Sequence, residues 1–243
     1  MSSILPIHIF ILCFNEAVIL PHTIEHYRRY LPSASITIYD NESTDNSVEL
    51  ATNLGCSVVS FSSTNKQDEH IQQTVRNTAW SHITTGWVLA LDMDEWLCIT
   101  EQQLQTEYES GTSIITVKGV NMIGNSQTED LSDIDVHSIR DGYDYNSETK
   151  SLCFLRDSIQ SMNYSVGGHV CSPVGTVKYS EHPYINKHMD VMGLQYTIKK
   201  NLLRYERTHD MRKYGYDDHY LNAVSEITDR YYEYMNKTYV LHH

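Results

Sequence analysis

Leu89-Ala90-Leu91-Asp92-Met93-Asp94-Glu95-Trp96 decides how this chain is read. Residues 87–91 are a short apolar run, the pattern of a buried strand. The run enters three carboxylates, Asp92, Asp94 and Glu95. On an extended backbone alternate side chains share a face, so Asp92 and Asp94 point together at the strand's end. Two adjacent carboxylates repel unless a cation or a proton lies between them. Oxygen ligands of this kind suit Mg²⁺ or Mn²⁺, ions that work on substrate phosphates. The C-terminal ends of strands are also where open α/β sheets bind ligands. Acids at strand ends occur as solvated junctions too, and this stretch alone leaves both readings open.

Working upstream, residues 7–14 read as a first buried strand, ended by Asn15-Glu16. A helix follows, with Pro21 at an early position and Leu20, Ile24, Tyr27 and Leu31 as its inward stripe; Pro32 closes it. Residues 36–40 form a second strand and residues 41–46 a polar loop. Ser43 or Asp45 caps a helix running through Leu54, with Gly55 at its C-terminus. Residues 58–61 are a third strand, residues 67–84 a helix, and Gly86 a stop before the fourth strand. This alternation argues for right-handed βαβ units and a mostly parallel sheet, hence an α/β fold.

Downstream of Glu101 the character changes. Residues 114–120 read as a strand. Residues 124–146 are polar and acidic, which suggests a long loop or lid. Residues 151–155 and 164–173 read as short strands, with Gly167-Gly168 as a turn or bulge. Residues 188–212 are helical and basic in pattern, and the Tyr-rich tail, residues 221–243, reads as a surface helix. Without a repeat or a linker, the simplest organisation is one domain over residues 1–243. Residues 1–100 form its ligand-binding half and residues 101–243 an irregular second half.

At 243 residues, with 40% hydrophobic and 20% charged residues, the chain has ordinary globular composition. A formal net charge of −13 argues against nucleic acid as a partner, but not against a phosphate ligand neutralised by a metal. Cys13, Cys56, Cys98, Cys153 and Cys171 are odd in number, widely spaced and lack a CxxC. That is poor for zinc or disulfides and points to a reducing, cytoplasmic setting. The one N-terminal apolar run, residues 4–14, is too short to span a membrane and has no basic n-region. A membrane acceptor would be met at the surface.

Four pieces now stand in order. They are Phe14-Asn15-Glu16 after the first strand, Tyr39-Asp40-Asn41-Glu42-Ser43-Thr44-Asp45 after the second, Arg76-Asn77 in the helix before the fourth, and Asp92-Met93-Asp94 after it. Together they resemble the GT-A-fold glycosyltransferases of the family 2 type, with their DXD motif. The resemblance covers residues 7–97 and continues more weakly through Gly119-Val120-Asn121-Met122, Gly168-His169 and residues 188–193. Phe14 replaces the usual Tyr, and Asn41 the second Asp of the usual pair.

The resemblance implies a nucleotide-sugar donor, a divalent cation (Mn²⁺ or Mg²⁺) and a glycan or other hydroxyl acceptor. On that footing Phe14, Asn15, Glu16, Asp40, Asn41, Arg76, Asp92 and Met93 form the donor-nucleotide site. Glu16 helps hold the base, Asp40 and Asn41 bind base or ribose, and Arg76 lies near the diphosphate. Asp92, Asp94 and His188 form the metal shell, which stabilises the leaving group. An inverting transfer also needs a base for the acceptor hydroxyl. Downstream candidates are Glu148, Asp157 and His169; the choice rests with Asp157, of the usual chemical type, and His169, which follows two glycines. Asp40 and Asp45 would also serve as turn residues, and Arg76 and His188 as solvated ones.

Three further signals stand in the chain. His22-Thr23-Ile24-Glu25-His26 matches a zinc-peptidase pattern, but the pair flanks the buried stripe of its helix rather than a cleft. Asp92-Met93-Asp94 resembles a haloacid-dehalogenase nucleophile motif, which normally follows a first strand. Lys199, Lys200, Arg204, Arg207, Arg212 and Lys213 form a basic helical face, either solvated or set against a diphosphate or anionic acceptor. The leading expectation is a metal-dependent, inverting glycosyltransferase using a UDP-sugar. The alternatives are phosphoryl or nucleotidyl transfer at the same carboxylates, and a non-catalytic sugar- or nucleotide-binding module.

Overall fold

The computed structural model of the chain describes residues 5–64, 66–213, 215 and 219–241. The front half alternates as its pattern predicts: β1 (Ile7–Cys13), α1 (Leu20–Tyr30), β2 (Ser35–Asp40), α2 (Ser47–Asn53), β3 (Ser57–Ser60), α3 (Glu69–Thr78) and β4 (Trp87–Asp92). There follow β5 (Glu95–Leu97), α4 (Glu101–Glu109), β6 (Val117–Ser126), β7 (Asp141–Asp144), β8 (Cys153–Leu155), β9 (Ile159–Ser161) and β10 (Val174–Gly175). The chain then runs through β11 (Tyr184–Gly193), α5 (Leu194–Arg207), α6 (His209–Arg212), α7 (Val224–Met235) and β12 (Tyr239–Val240).

The first sheet has the order β3-β2-β1-β4-β8, parallel throughout except for the antiparallel edge strand β8. β1 and β4 carry continuous apolar runs because both sheet faces are covered. The main core lies on one face, with Ile9, Ile11, Leu89 and Leu91 packed against Tyr27 and Ile24 of α1. A second core of Phe10, Trp80, Val88 and Phe154 fills the other face. Chain order reverses between β1 and β4, so a crevice opens at their C-terminal ends. The register pairs Cys13 with Asp40 and Leu12 with Asp92, which brings the segments after β1, β2 and β4 to one edge.

The second sheet, β12-β7-β6-β11-β5, is mixed. β5 begins after only Met93 and Asp94, so the Asp-rich turn is the junction between the two sheets. Its short strand is held by α1: Tyr27 Oη donates to Glu95 O at 2.7 Å, and Trp96 Nε1 donates to Thr23 Oγ1 at 2.9 Å.

Several back-half expectations are corrected. Residues 188–193 are not helical; they end β11, which pairs with β6 and β5, and the helix starts only at Leu194 after Gly193. Residues 124–146 are not one loop. β6 runs to Ser126, β7 pairs back on it, and a 3-10 turn at Val136–Ser138 packs toward α1. Residues 164–173 hold a 3-10 turn, Val166–Gly168, in place of a strand. The helix expected over residues 67–84 spans Glu69–Thr78, because Asp68 caps it and Trp80 turns into the second core, its indole N–H reaching Arg76 O at 3.0 Å. The tail is helical only over Val224–Met235, and residues 242–243 of the expected helix lie outside the described residues. Among the described residues no helix is long and apolar enough to cross a membrane.

Candidate active site

A cleft of about 640 Å³ opens at the C-terminal edge of the first sheet, with α5 along one wall. Asp92 and Asp94 both reach it, yet they do not share partners as strict alternation predicts, because the chain turns between them. Asp92, at the end of β4, accepts from Arg76 Nη2 at 2.6 Å, with Lys150 Nζ 3.6 Å away. Asp94 faces α5 and is 3% exposed. Its Oδ2 accepts from Lys200 Nζ at 2.8 Å and Arg204 Nη2 at 3.0 Å, and His188 Nε2 lies 3.7 Å away. The turn is tied on all sides: Thr23 Oγ1 donates to Met93 O at 2.8 Å, Met189 N to Asp94 O at 2.7 Å, and Asp92 N to Glu95 Oε2 at 2.7 Å. The Met93 side chain sits in the main core.

The strand β11 adds a carboxylate that the sequence reading did not name. Asp190 Oδ1 lies 3.1 Å from Lys200 Nζ and 3.0 Å from Arg204 Nη1. Asp94, His188 and Asp190 bring one ligand atom each to within 4.8 Å of one another, whereas Asp92 stands outside this group. His188 Nδ1 contacts Asn121 Oδ1 at 2.9 Å. A side-chain carbonyl oxygen only accepts, so Nδ1 donates this bond and Nε2 is the ring nitrogen turned toward Asp94. Two carboxylates and one such imidazole nitrogen are a fitting donor set for Mn²⁺ or Mg²⁺. Burial would raise the Asp94 carboxyl, but Lys200, His188 and Arg204 outweigh it and hold the group well below the usual range. The same balance brings Asp190 down to about 2, with Lys200 and Arg204 opposing burial. Alternation along β11 would have revealed Asp190 two residues after His188, had the segment been read as a strand.

Glu16, which also lines the cleft, stands beside this cluster. Its Oε1 lies 3.6 Å from both Lys200 Nζ and Arg204 Nη2, and burial pushes its pKa up against those two cations. Asn15, in the left-handed region at φ 50°, spends its amide on the neighbouring loop. Its Oδ1 accepts from Thr44 N at 2.7 Å and Asp45 N at 3.2 Å.

Beside these loops, Asp40 and Asn41 are buried with polar atoms free of hydrogen bonds, Asp40 Oδ1 and Asn41 Nδ2. Asp40 Oδ2 accepts from Ser43 N at 3.0 Å, and Asn41 Oδ1 from Ser63 Oγ at 2.8 Å. Phe14 lies under the Arg207 guanidinium, 3.2 Å from ring centre to Cζ. The basic face of α5 is therefore graded by burial: Lys200, Arg204 and Arg207 turn into the cleft, while Lys199 pairs with Glu129 at 2.9 Å on its exposed rim.

Behind Asp92 lies a buried charge cluster absent from the sequence reading. Lys150 Nζ is 2.8 Å from Glu95 Oε1 and 3.0 Å from Glu148 Oε2. Burial pushes Glu95 well up despite Lys150, with Asp92 and Glu148 adding to the shift. Glu148 is thus an ion-pair partner at the cleft floor.

The two base candidates separate clearly. Asp157 sits at the opposite end of β4, where its carboxylate accepts from Gly86 N at 2.8 Å and Thr85 Oγ1 at 2.9 Å. It is not a cleft residue. His169 lines the cleft and is exposed, with Nδ1 2.8 Å from Ser147 O; that carbonyl fixes the proton on Nδ1 and leaves Nε2 free. Gly168 makes this turn possible. At φ 71° it is left-handed, and a Cβ there would lie 2.8 Å from Arg76 Nε.

The zinc-like motif resolves otherwise. His26 is buried, its Nε2 3.0 Å from Leu97 O, and does not join His22. His22 instead groups with Glu25 and His137, where Glu25 is already paired with Arg29 at 2.6 Å.

Residues 8–116 match the profile described as "Glycosyl transferase family 2". The match takes in less than half of the chain and marks this stretch as similar to that family, in keeping with the parallel-rich α/β sheet that it forms. No curated protein sequence matches the chain. Among solved structures it is similar to S. aureus TarS 1–349, at 12% identity and a TM-score of 0.45 over 84% of this chain and 66% of that one. A second is the mannosyltransferase PcManGT from Pyrobaculum calidifontis, in complex with GDP-Man and Mn²⁺, at 9% identity and a TM-score of 0.47 over 95% and 70%. The chain spans only 40% of the longer S. aureus TarS chain.

Proposed function

We propose that the chain transfers one sugar from a nucleoside diphosphate donor, UDP-linked by preference, to the hydroxyl of a glycan or similar acceptor, with inversion. The observation that carries this is the convergence of Asp94, His188 and Asp190 to within 4.8 Å at the junction of the two sheets, in a cleft floored by Arg76 and Asp92. Buried Asp40 Oδ1 is an acceptor and buried Asn41 Nδ2 a donor, both without partners. Such a pair complements the imide N–H and carbonyl of uracil, and guanine presents the same two groups. Groups left unpaired when buried are costly, so a ligand edge that satisfies both is favoured.

Mn²⁺ or Mg²⁺ would be held by Asp94, His188 and Asp190, and supplies charge stabilisation for the departing diphosphate. Asp92 fixes Arg76 through the 2.6 Å contact, and both residues line the cleft. His169 Nε2 takes the proton from the acceptor hydroxyl as its oxygen attacks the anomeric carbon. The bond from that carbon to the diphosphate oxygen breaks, and the electron pair leaves with the nucleoside diphosphate. The reading treats residues 1–100 as the donor side and residues 101–243 as the acceptor side of one catalytic unit. All five cysteines are free, which fits a cytoplasmic enzyme that meets any membrane acceptor at the surface.

The test is thermal stability of the chain with UDP and GDP, with and without Mn²⁺. A ligand that binds only the native state raises the melting temperature by mass action. A shift that needs both nucleotide and Mn²⁺ and is lost in Asp94→Asn is the expected outcome, and the larger shift names the base. Absence of any shift with every nucleotide and metal sinks the donor site. Products from a UDP-sugar then separate sugar transfer from phosphate release.

A further inference from the structure

The three groups that fit a divalent cation already hold two cations of the protein. Lys200 Nζ lies 2.8 Å from Asp94 Oδ2 and 3.1 Å from Asp190 Oδ1, and Arg204 bridges the same two carboxylates at 3.0 Å each. Lys200 and Arg204 are one helical turn apart on α5, so both reach the same side. Lys200 is 9% exposed, its ammonium 3.4 Å from Tyr196 Oη. The charges of Asp94 and Asp190 are thereby matched one for one, with Glu16 in reserve at 3.6 Å.

From this geometry we infer that Lys200 is the resident counter-cation of the Asp94–Asp190 pair, and that its ammonium and a divalent ion are alternative occupants exchanged when a nucleoside diphosphate arrives. The inference rests on the donor-site reading above. A Mg²⁺ ion held by Asp94 and Asp190 would need carboxylate oxygens at about 2.0–2.1 Å. An ammonium at 2.8 and 3.1 Å from the same atoms fills that space and repels the ion. Lys200 has a flexible four-carbon stem and can withdraw, but a buried ammonium without an anion is strongly disfavoured. In the nucleotide-free cleft the oxygens it leaves are the ones that held it. A diphosphate supplies new oxygens. Metal and nucleotide therefore raise each other's affinity by the same factor, as linkage requires. Lys200 is in this sense a positioning residue that couples the two ligands.

The test is Mn²⁺ binding to the full chain, followed by the loss of the free-ion paramagnetic resonance signal, with and without UDP or GDP. In Lys200→Met, Mn²⁺ should bind at least tenfold more tightly than in wild type without nucleotide, and the gain on adding nucleotide should shrink. Lys199→Met, its exposed neighbour paired with Glu129, should match wild type, which separates displacement from a general change in charge. Equal Mn²⁺ affinity in wild type and Lys200→Met overturns the inference, as does an equal gain in Lys199→Met. If neither nucleotide binds any of the proteins while Lys200→Met still tightens Mn²⁺, the exchange stands and the donor-site reading falls. Should melting curves show that Lys200→Met does not fold, Lys200→Gln makes the same comparison.

Discussion

Lys150 Nζ and Glu95 Oε1 face each other at 2.8 Å directly behind the Asp-rich turn, with the lysine 5% and the glutamate 0% exposed. Glu95 in turn receives Asp92 N at 2.7 Å, so this pair sets the backbone from which Asp92 and Asp94 project. Removing one member of a buried pair leaves the other without compensation, at a cost of about 3–5 kcal/mol. Lys150→Met should therefore lower stability by that amount in urea melts. Lys150→Met with Glu95→Gln should recover part of that loss, since the nearest carboxylate is neutralised and the Asp92 contact kept, while Glu148 stays without its lysine. Additive losses would show that the two side chains do not act as a pair.

Gly168→Ala places a methyl group 2.8 Å from Arg76 Nε on a backbone at φ 71°. Left-handed strain in a non-glycine residue costs about 1–3 kcal/mol. The melting temperature should fall, and UDP affinity with it, because Arg76 must shift away from Asp92. Gly215→Ala, also left-handed at φ 78° but with open space around its Cβ, serves as the comparison for strain without the clash. If both variants lose nucleotide affinity equally, contact with Arg76 is not the reason.

Acid stability has a named origin in His26. Burial brings its imidazole down from 6.5 to about 3, and its neutral form donates to Leu97 O. A group whose folded pKa is depressed contributes stability that is complete above the unfolded value and lost as pH falls toward the folded one. The loss should run from about pH 6.5 downward and reach on the order of 4 kcal/mol near pH 3. Asp190, lowered from 3.8 to about 2, has the same sign and adds its loss only below pH 3.8. In His26→Phe the aromatic stack on Trp96 is kept and the titrating group is gone. Urea midpoints of this variant should be flatter than wild type between pH 6.5 and 4; parallel curves would assign the acid loss elsewhere.

Asp157 and His169 give opposite expectations. Asp157→Ala removes the acceptor of Gly86 N and should cost about 1 kcal/mol of stability with nucleotide affinity unchanged. His169→Asn should leave the melting temperature near wild type and reduce kcat about 10²-fold or more, with little effect on nucleotide binding. An active His169→Asn would return the search for the base to the other cleft residues.

Much of the site's frame is legible in local patterns. The apolar runs of β1 and β4, their spacing from α1 and α2, and the polar segments after each strand follow from burial on both faces of a parallel sheet, and register then forces Asp40 and Asp92 to one edge. The back half resists such reading. Residues 188–193 carry His, Asp and Met without strong strand propensity, and only pairing with β6 and β5 makes them a strand. Tertiary context overrides propensity there, and with it the position of Asp190.

By itself, then, the sequence determined the first, mostly parallel sheet, the placement of Asp92 and Asp94 after its fourth strand, and the likeness of residues 8–116 to a glycosyl transferase profile, because these depend on short-range patterns along the chain. The tertiary structure alone decided which cation faces which carboxylate. Arg76 meets Asp92 from 16 residues away and Lys200 meets Asp94 from 106. Contacts across such separations are set by how two sheets and a helix pack around a buried turn, and no pattern along the chain records them.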